Sequence, residues 1–144
     1  MAGAQQIVDA VRRADAETVA AHTSHRITRL GISQDSILHM TQEVEAQTAA
    51  MGMTIDSAKV GQRSELYEAE GAEVCFIPYR LEIHMPGHKG RSLGFLIAVR
   101  EDPKGGWDYL DGSILSSHPE GLRAILPGLP ASIKLPEARN EFDN

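Results

Sequence analysis

The sequence predicts an α+β domain in which N-terminal helices pack on the concave face of a strongly curved, mainly antiparallel β-sheet. Three observations predict it. Helical periodicities come first along the chain, and strand-like runs follow them. Residues 72–85 alternate: Cys75, Ile77, Tyr79, Leu81, Ile83 and Met85 share one parity, and Arg80, Glu82 and His84 share the other with Val74 and Phe76. Pro78 lies inside that run, where its missing N–H predicts a bulge, a bend or an edge position, and a bend there would curve the sheet.

Ile7, Val8 and Val11 recur at helical spacing and predict a first helix over residues 5–14. Asp15 is placed to cap a second, short helix that carries Glu17 and Thr18 in its first turn and ends near His22. Residues 22–31 hold two histidines and two arginines without a clean period, which reads as a turn of helix followed by an irregular connection. Ser33 then caps a longer helix with Asp35 near its positive end, an apolar stripe of Ile37, Met40, Val44 and Met51, and Gly52 as the stop.

Strands follow over residues 53–62 and 65–69, and Glu70-Gly71 turns the chain into the long alternating strand. Residues 86–90 read as a loop. Leu93, Phe95, Ile97 and Val99 alternate in the next strand, opposite Gly94, Leu96 and Ala98, which are small enough for another layer to approach. Residues 103–106 turn into a last strand over 107–111. Ser117 caps a short helix with Pro119 in its first turn and Leu122, Ile125 and Leu126 on its apolar side. Residues 127–144, rich in proline, read as an extended strap and a frayed tail on a single domain spanning 1–144.

Composition narrows the function classes. The net charge of −6 argues against nucleic-acid binding, which needs a basic surface to release counterions. One cysteine excludes an internal disulfide. No apolar run approaches the roughly 18–20 residues that span a bilayer, and the opening residues lack the order of a signal peptide, so a cytoplasmic location and no membrane partner are expected. There is no phosphate loop, dinucleotide fingerprint, Gly-x-Ser-x-Gly elbow or Cys-x-x-Cys, and no cofactor is implied. His22 and His25 are three apart, but no further metal-ligand motif follows them, so no metal site is expected.

The short capped helix DAETVAAHTS, the helix ending AAMGM, the strand VCFIPYRLEIHMP and the closing GGWDYLDGS together resemble the nuclear transport factor 2-like superfamily of cone-shaped α+β proteins, also called cystatin-like. The closing hairpin, with Gly105, Trp107, Tyr109, Asp111 and Gly112, is similar to that of uncharacterised bacterial branches. The resemblance implies a cone with a mouth, a homodimer, and either a small-ligand or protein-interaction module without catalysis or a cofactor-free isomerase, cyclase or dehydratase. Fold alone does not select among these. No catalytic residue carries over from the family.

Any ligand site is expected in the cone mouth, mainly apolar, with polar contacts from Tyr79, Asp111 and His22. Tyr79 shares parity with the apolar series while keeping a hydroxyl; Asp111 ends a strand and His22 ends a helix. The packing explanation of Tyr79 is a core ring whose hydroxyl reaches the domain edge. Val74, Phe76, Leu96 and Ala98, opposite the more apolar parity, are expected to form an outer patch for a homodimer, fringed by Arg80 and Glu82.

Overall fold

In the computed structural model, residues 2–112, 120–130, 133, 135, 136 and 138–142 are described. Helix α1 spans Ala2–Arg12, α2 Ala16–Ala21 and α3 Gln34–Ala50, with a 3-10 turn over His25–Leu30 between the last two. The local signals act as expected: Asp15 and Ser33 accept from the backbone N–H groups of Thr18 and Ser36, and Gly52 closes α3 at φ +72°.

Two long strands form the spine of the sheet. β3 (Ala72–Met85) and β4 (His88–Arg100) pair antiparallel without a register shift from Glu73 opposite Arg100 to Met85 opposite His88. The expected loop over 86–90 is thus only a two-residue turn. Gly87 adopts φ +78°, which lets the ladder resume at once. β1 (Thr54–Val60) and β2 (Tyr67–Ala69) share the other edge of β3, while β5 (Asp108–Asp111) and β6 (Arg139–Phe142) share the other edge of β4. The result is a six-stranded antiparallel sheet.

Pro78 takes the edge alternative. Its carbonyl accepts from Gly61 N at 2.8 Å, just where β1 has ended, and Phe76 bonds instead to Ser64, so the missing N–H falls at a break in pairing. The register shift lies in β1, between Ile55 and Ser57.

Both faces at one end of the sheet are covered, which corrects the expectation of helices on a single concave face. Val74, Phe76, Phe95, Ile97, Val99 and Leu110 pack with Ile27, Ile37, Ile125 and Leu126. Cys75, Ile77, Leu96, Ala98 and Tyr109 pack under Ala4, Ile7 and Val8 of α1. The expected outer patch is therefore absent. Val74, Phe76, Leu96 and Ala98 are all buried, and the strand register divides them between the two faces, with Leu96 opposite Ile77 and Ala98 opposite Cys75. They supply no dimer surface.

Helix α3 departs from its expected stripe. Ile37 is buried, but Met40, Val44 and Met51 are at least half exposed, because the helix is anchored at its first turns and overhangs the sheet beyond them. Helix α4 (Gly121–Ile125) matches the expected short helix; its proposed cap Ser117 and Pro119 lie outside the described residues. Within the expected strap, residues 139–142 are a true strand, β6, seated on β4. No helix among the described residues is long and apolar enough to cross a membrane.

Candidate functional site: a two-part apolar cleft

The sheet register assembles the site. Tyr79 of β3 lies opposite Gly94 of β4, and Asp111 of β5 lies opposite Leu96, so both side chains emerge on the α1 face, two strands apart. Gly94 has no side chain to separate them. A Cβ there would sit 2.5 Å from the Tyr79 hydroxyl and ring, so the tyrosine lies flat across β4. Its hydroxyl donates to the Asp111 carboxylate, at 3.2 Å from Oδ1 and 3.1 Å from Oδ2.

His22 is brought to the same place by main-chain bonds. Tyr109 N donates to the His22 carbonyl at 2.8 Å, and Ser24 N donates to the Tyr109 carbonyl at 3.0 Å, so residues 22–24 run along the outer edge of β5. The structure thus brings all three expected site residues, Tyr79, Asp111 and His22, onto one recess of about 130 Å³. Ile7, Val8, Val11, Leu81 and Leu96 supply its apolar wall. That volume is close to the roughly 150 Å³ of an apolar cavity that admits benzene.

Val11 and Leu81 also line a second, wider space of about 610 Å³. This open groove runs beneath the overhang of α3, between Val44 and Met51 on one side and Ile55, Ile83, Met85 and Phe142 on the other. Recess and groove share Val11 and Leu81 as lining, and the polar groups lie on the recess, where Asp111 is exposed.

Burial is the main cause that pushes the Tyr79 hydroxyl above the ordinary tyrosine range, with the Asp111 charge and hydrogen bond adding to it. The phenol therefore stays protonated. Glu45 is a site residue that the sequence reading missed. The stripe reading turns it away from the apolar side of α3, yet it lines the groove, its Oε1 is buried without a hydrogen-bond partner, and burial raises its pKa, helped by the charge of Asp15. No local signal distinguishes it from Glu43 on the same helix.

The remaining chemistry-bearing residues have packing explanations. Cys75 is buried, and desolvation raises its thiol, which leaves it unreactive. Trp107 packs its ring 4.8 Å from the Arg100 guanidinium. Arg26, also missed, is buried and binds Glu101, Glu70 and the Ile125 carbonyl, tying the 3-10 turn to two hairpin ends and α4. No group of three or more metal-ligating side chains occurs among the described residues. No protein-family model matches this chain, and no curated protein matches it.

Proposed function

We propose that the chain is a non-catalytic binding module that holds a small, mainly apolar molecule in this cleft, within the nuclear transport factor 2-like superfamily that its sequence resembles. The α+β order and the six-stranded antiparallel sheet agree with that resemblance at the level of architecture. One observation carries the binding reading: a mainly apolar recess of about 130 Å³ carries the Tyr79–Asp111 pair, and an apolar groove of about 610 Å³ shares Val11 and Leu81 with it. Apolar walls with a few convergent polar groups are the usual form of a small-molecule site.

The pair also favours binding over the alternative isomerase, cyclase or dehydratase. An acid–base enzyme needs a hydroxyl free to donate to developing negative charge on the substrate. The Tyr79 proton is directed at Asp111 instead.

The test is binding of the neutral apolar dye Nile red to the intact protein, followed by fluorescence. Saturable binding near one dye per chain is expected. Leu81→Trp, which places a large ring on the wall that lines both recess and groove, should weaken it at least about tenfold, or roughly 1.4 kcal/mol, with the circular dichroism unchanged. No saturable binding, or equal binding by the variant, removes the reading. The surface this reading leaves for a homodimer on α3 is the exposed side that carries Met40, outside the groove. Sedimentation at tens of micromolar supports a dimer there at twice the chain mass and rejects it at the chain mass.

A further inference from the structure

We infer that the groove wall between the end of α3 and the β3–β4 turn is a site for a soft monovalent metal ion, Cu(I). Its donors are the thioethers of Met51, Met53 and Met85 and the imidazole of His88. Three of the chain's five methionines line this one groove. The site is independent of the small-molecule reading.

Two tight turns bring the donors together. At the end of α3, Gly52 donates its N–H to the Ala49 carbonyl at 3.0 Å, and Met53 donates to that of Thr48 at 3.1 Å. This double closure fixes Met51 and Met53 on either side of the glycine. In the strand that follows, Thr54 lies opposite His84 and Ile55 opposite Ile83, so the same register sets Met53 opposite Met85. On the other edge of β3, His88 pairs with Met85 across the Pro86–Gly87 turn. Residues directly opposite one another share a face, with Cβ atoms about 4.5–5.5 Å apart. Met53, Met85 and His88 therefore form one row across the sheet. The two turns also touch, since a Cβ on Gly52 would lie 3.2 Å from Pro86 Cγ, and this contact holds Met51 beside the row.

The donor set names the ion. Thioether sulfur is a soft ligand that selects Cu(I), whereas carboxylates, carbonyls and water suit harder ions. The clusters found absent among the described residues are those of His, Cys, Asp and Glu, which leaves a thioether set untouched. Each methionine carries its sulfur on three rotatable bonds, so the side chains can close on an ion from a fixed backbone. Met51 is 59% exposed and His88 is exposed, which gives the ion a path in. Met40 is exposed to a similar degree but lies outside the groove, so it serves as an internal control.

Ag(I), which shares the charge and filled d shell of Cu(I) and is stable in air, is the probe. It is titrated in chloride-free buffer into the full chain labelled with carbon-13 at the methionine methyl groups. The methyl signals of Met51, Met53 and Met85 should shift and saturate near one ion per chain, while that of Met40 stays in place. Mg(II) should move none of them. Losing even an outer partner of a metal site costs about 10–100-fold in affinity, so Met53→Leu, Met85→Leu and His88→Gln should each weaken Ag(I) at least about tenfold. The leucine changes nearly conserve volume and should leave the circular dichroism unchanged. Unmoved signals, a Met40 shift as large as the others, or an equal response to Mg(II) would each overturn the site, and these need no variant. Unchanged affinity in any of the three variants would overturn it too, placing the ion elsewhere, as on the buried thiol of Cys75. Nile red binding is measured separately, so the metal site and the small-molecule reading fail independently.

Discussion

Tyr79 reaches Asp111 across the full width of β4, and it does so over Gly94. A hydrogen bond between residues two strands apart requires the intervening strand to present nothing at that point. Gly94→Ala would place a methyl group 2.5 Å from the Tyr79 ring and hydroxyl, and the ring would have to leave its position. The expected cost is about 1–3 kcal/mol, the range for overfilling a packed site, with loss of the Tyr79–Asp111 bond. In a Tyr79→Leu background the same glycine change should cost less, because the ring it displaces is gone. Urea unfolding of the four proteins measures the coupling, and equal costs in both backgrounds would break the link between the two residues.

Alkaline pH probes the same bond. The Tyr79 hydroxyl is raised above its ordinary value of 10.0 in the folded protein, mainly by burial. Below pH 10 the group is protonated whether the chain is folded or not, and the protonated form suits the fold. As pH rises past 10, the unfolded chain loses the proton first and stability falls. Tyr67 and Tyr109 are raised too, the first by Glu65 and the second by burial, so the difference between proteins isolates Tyr79. Tyr79→Phe should lose less stability between pH 9 and pH 11 than wild type does. Parallel curves over that interval would show that Tyr79 is not held in its protonated form.

How much of this was legible in the sequence depends on the range of the forces involved. The parity of β3 was legible, because alternation along a strand is a property of the backbone itself. What covers each face was not: Val74 and Phe76 seemed free until Ile27, Ile37 and Ile125 arrived from distant segments. The convergence of Tyr79, Asp111 and His22 was partly legible, since shared parity and element ends point toward one opening. The bonds that fix it, between residues 22–24 and Tyr109, belong to tertiary structure. Arg26 was illegible for the same reason. Its partners Glu70, Glu101 and Ile125 lie 44, 75 and 99 residues along the chain. A local window reads such an arginine as solvated.

That arginine makes its own prediction. Arg26 is buried, and its hydrogen bond and charge hold Glu101 below the usual carboxylate range, while Arg29 followed by Arg26 does the same for Glu70. Arg26→Met removes the buried charge and leaves Glu101 and the Ile125 carbonyl without it. Breaking a fully buried pair costs roughly 3–5 kcal/mol. Because Glu101 is a third exposed, about 2 kcal/mol is expected after screening. Carboxylates with lowered values stabilise the fold above about 4.5 and lose that contribution as pH falls through the lower, folded value. The gap between wild type and variant should therefore narrow below pH 4.5. A gap that stays constant down to pH 2 would assign the effect of Arg26 to packing by its aliphatic stem.

Glu45 works in the opposite sense. Its pKa is raised from 4.5, first by burial and then by the charge of Asp15, and its Oε1 is buried without a partner. Folding thus favours the protonated acid, so the penalty is absent below pH 4.5 and appears as pH rises through the higher, folded value. Glu45→Met removes the charge and the unpartnered oxygen together, keeps a straight side chain of nearly equal helix propensity, and adds to the apolar wall of the groove. The variant should melt higher than wild type at pH 7, by on the order of 2 °C, as expected for a gain near 1 kcal/mol or less in a domain of this size. At pH 4 the advantage should shrink, because wild-type Glu45 is then largely neutral in both states. Thermal melts of both proteins at the two pH values decide it. A lower melting temperature at pH 7 would mean that the charge at Glu45 stabilises the fold, and an equal gain at both values would assign the effect to packing of the methionine alone.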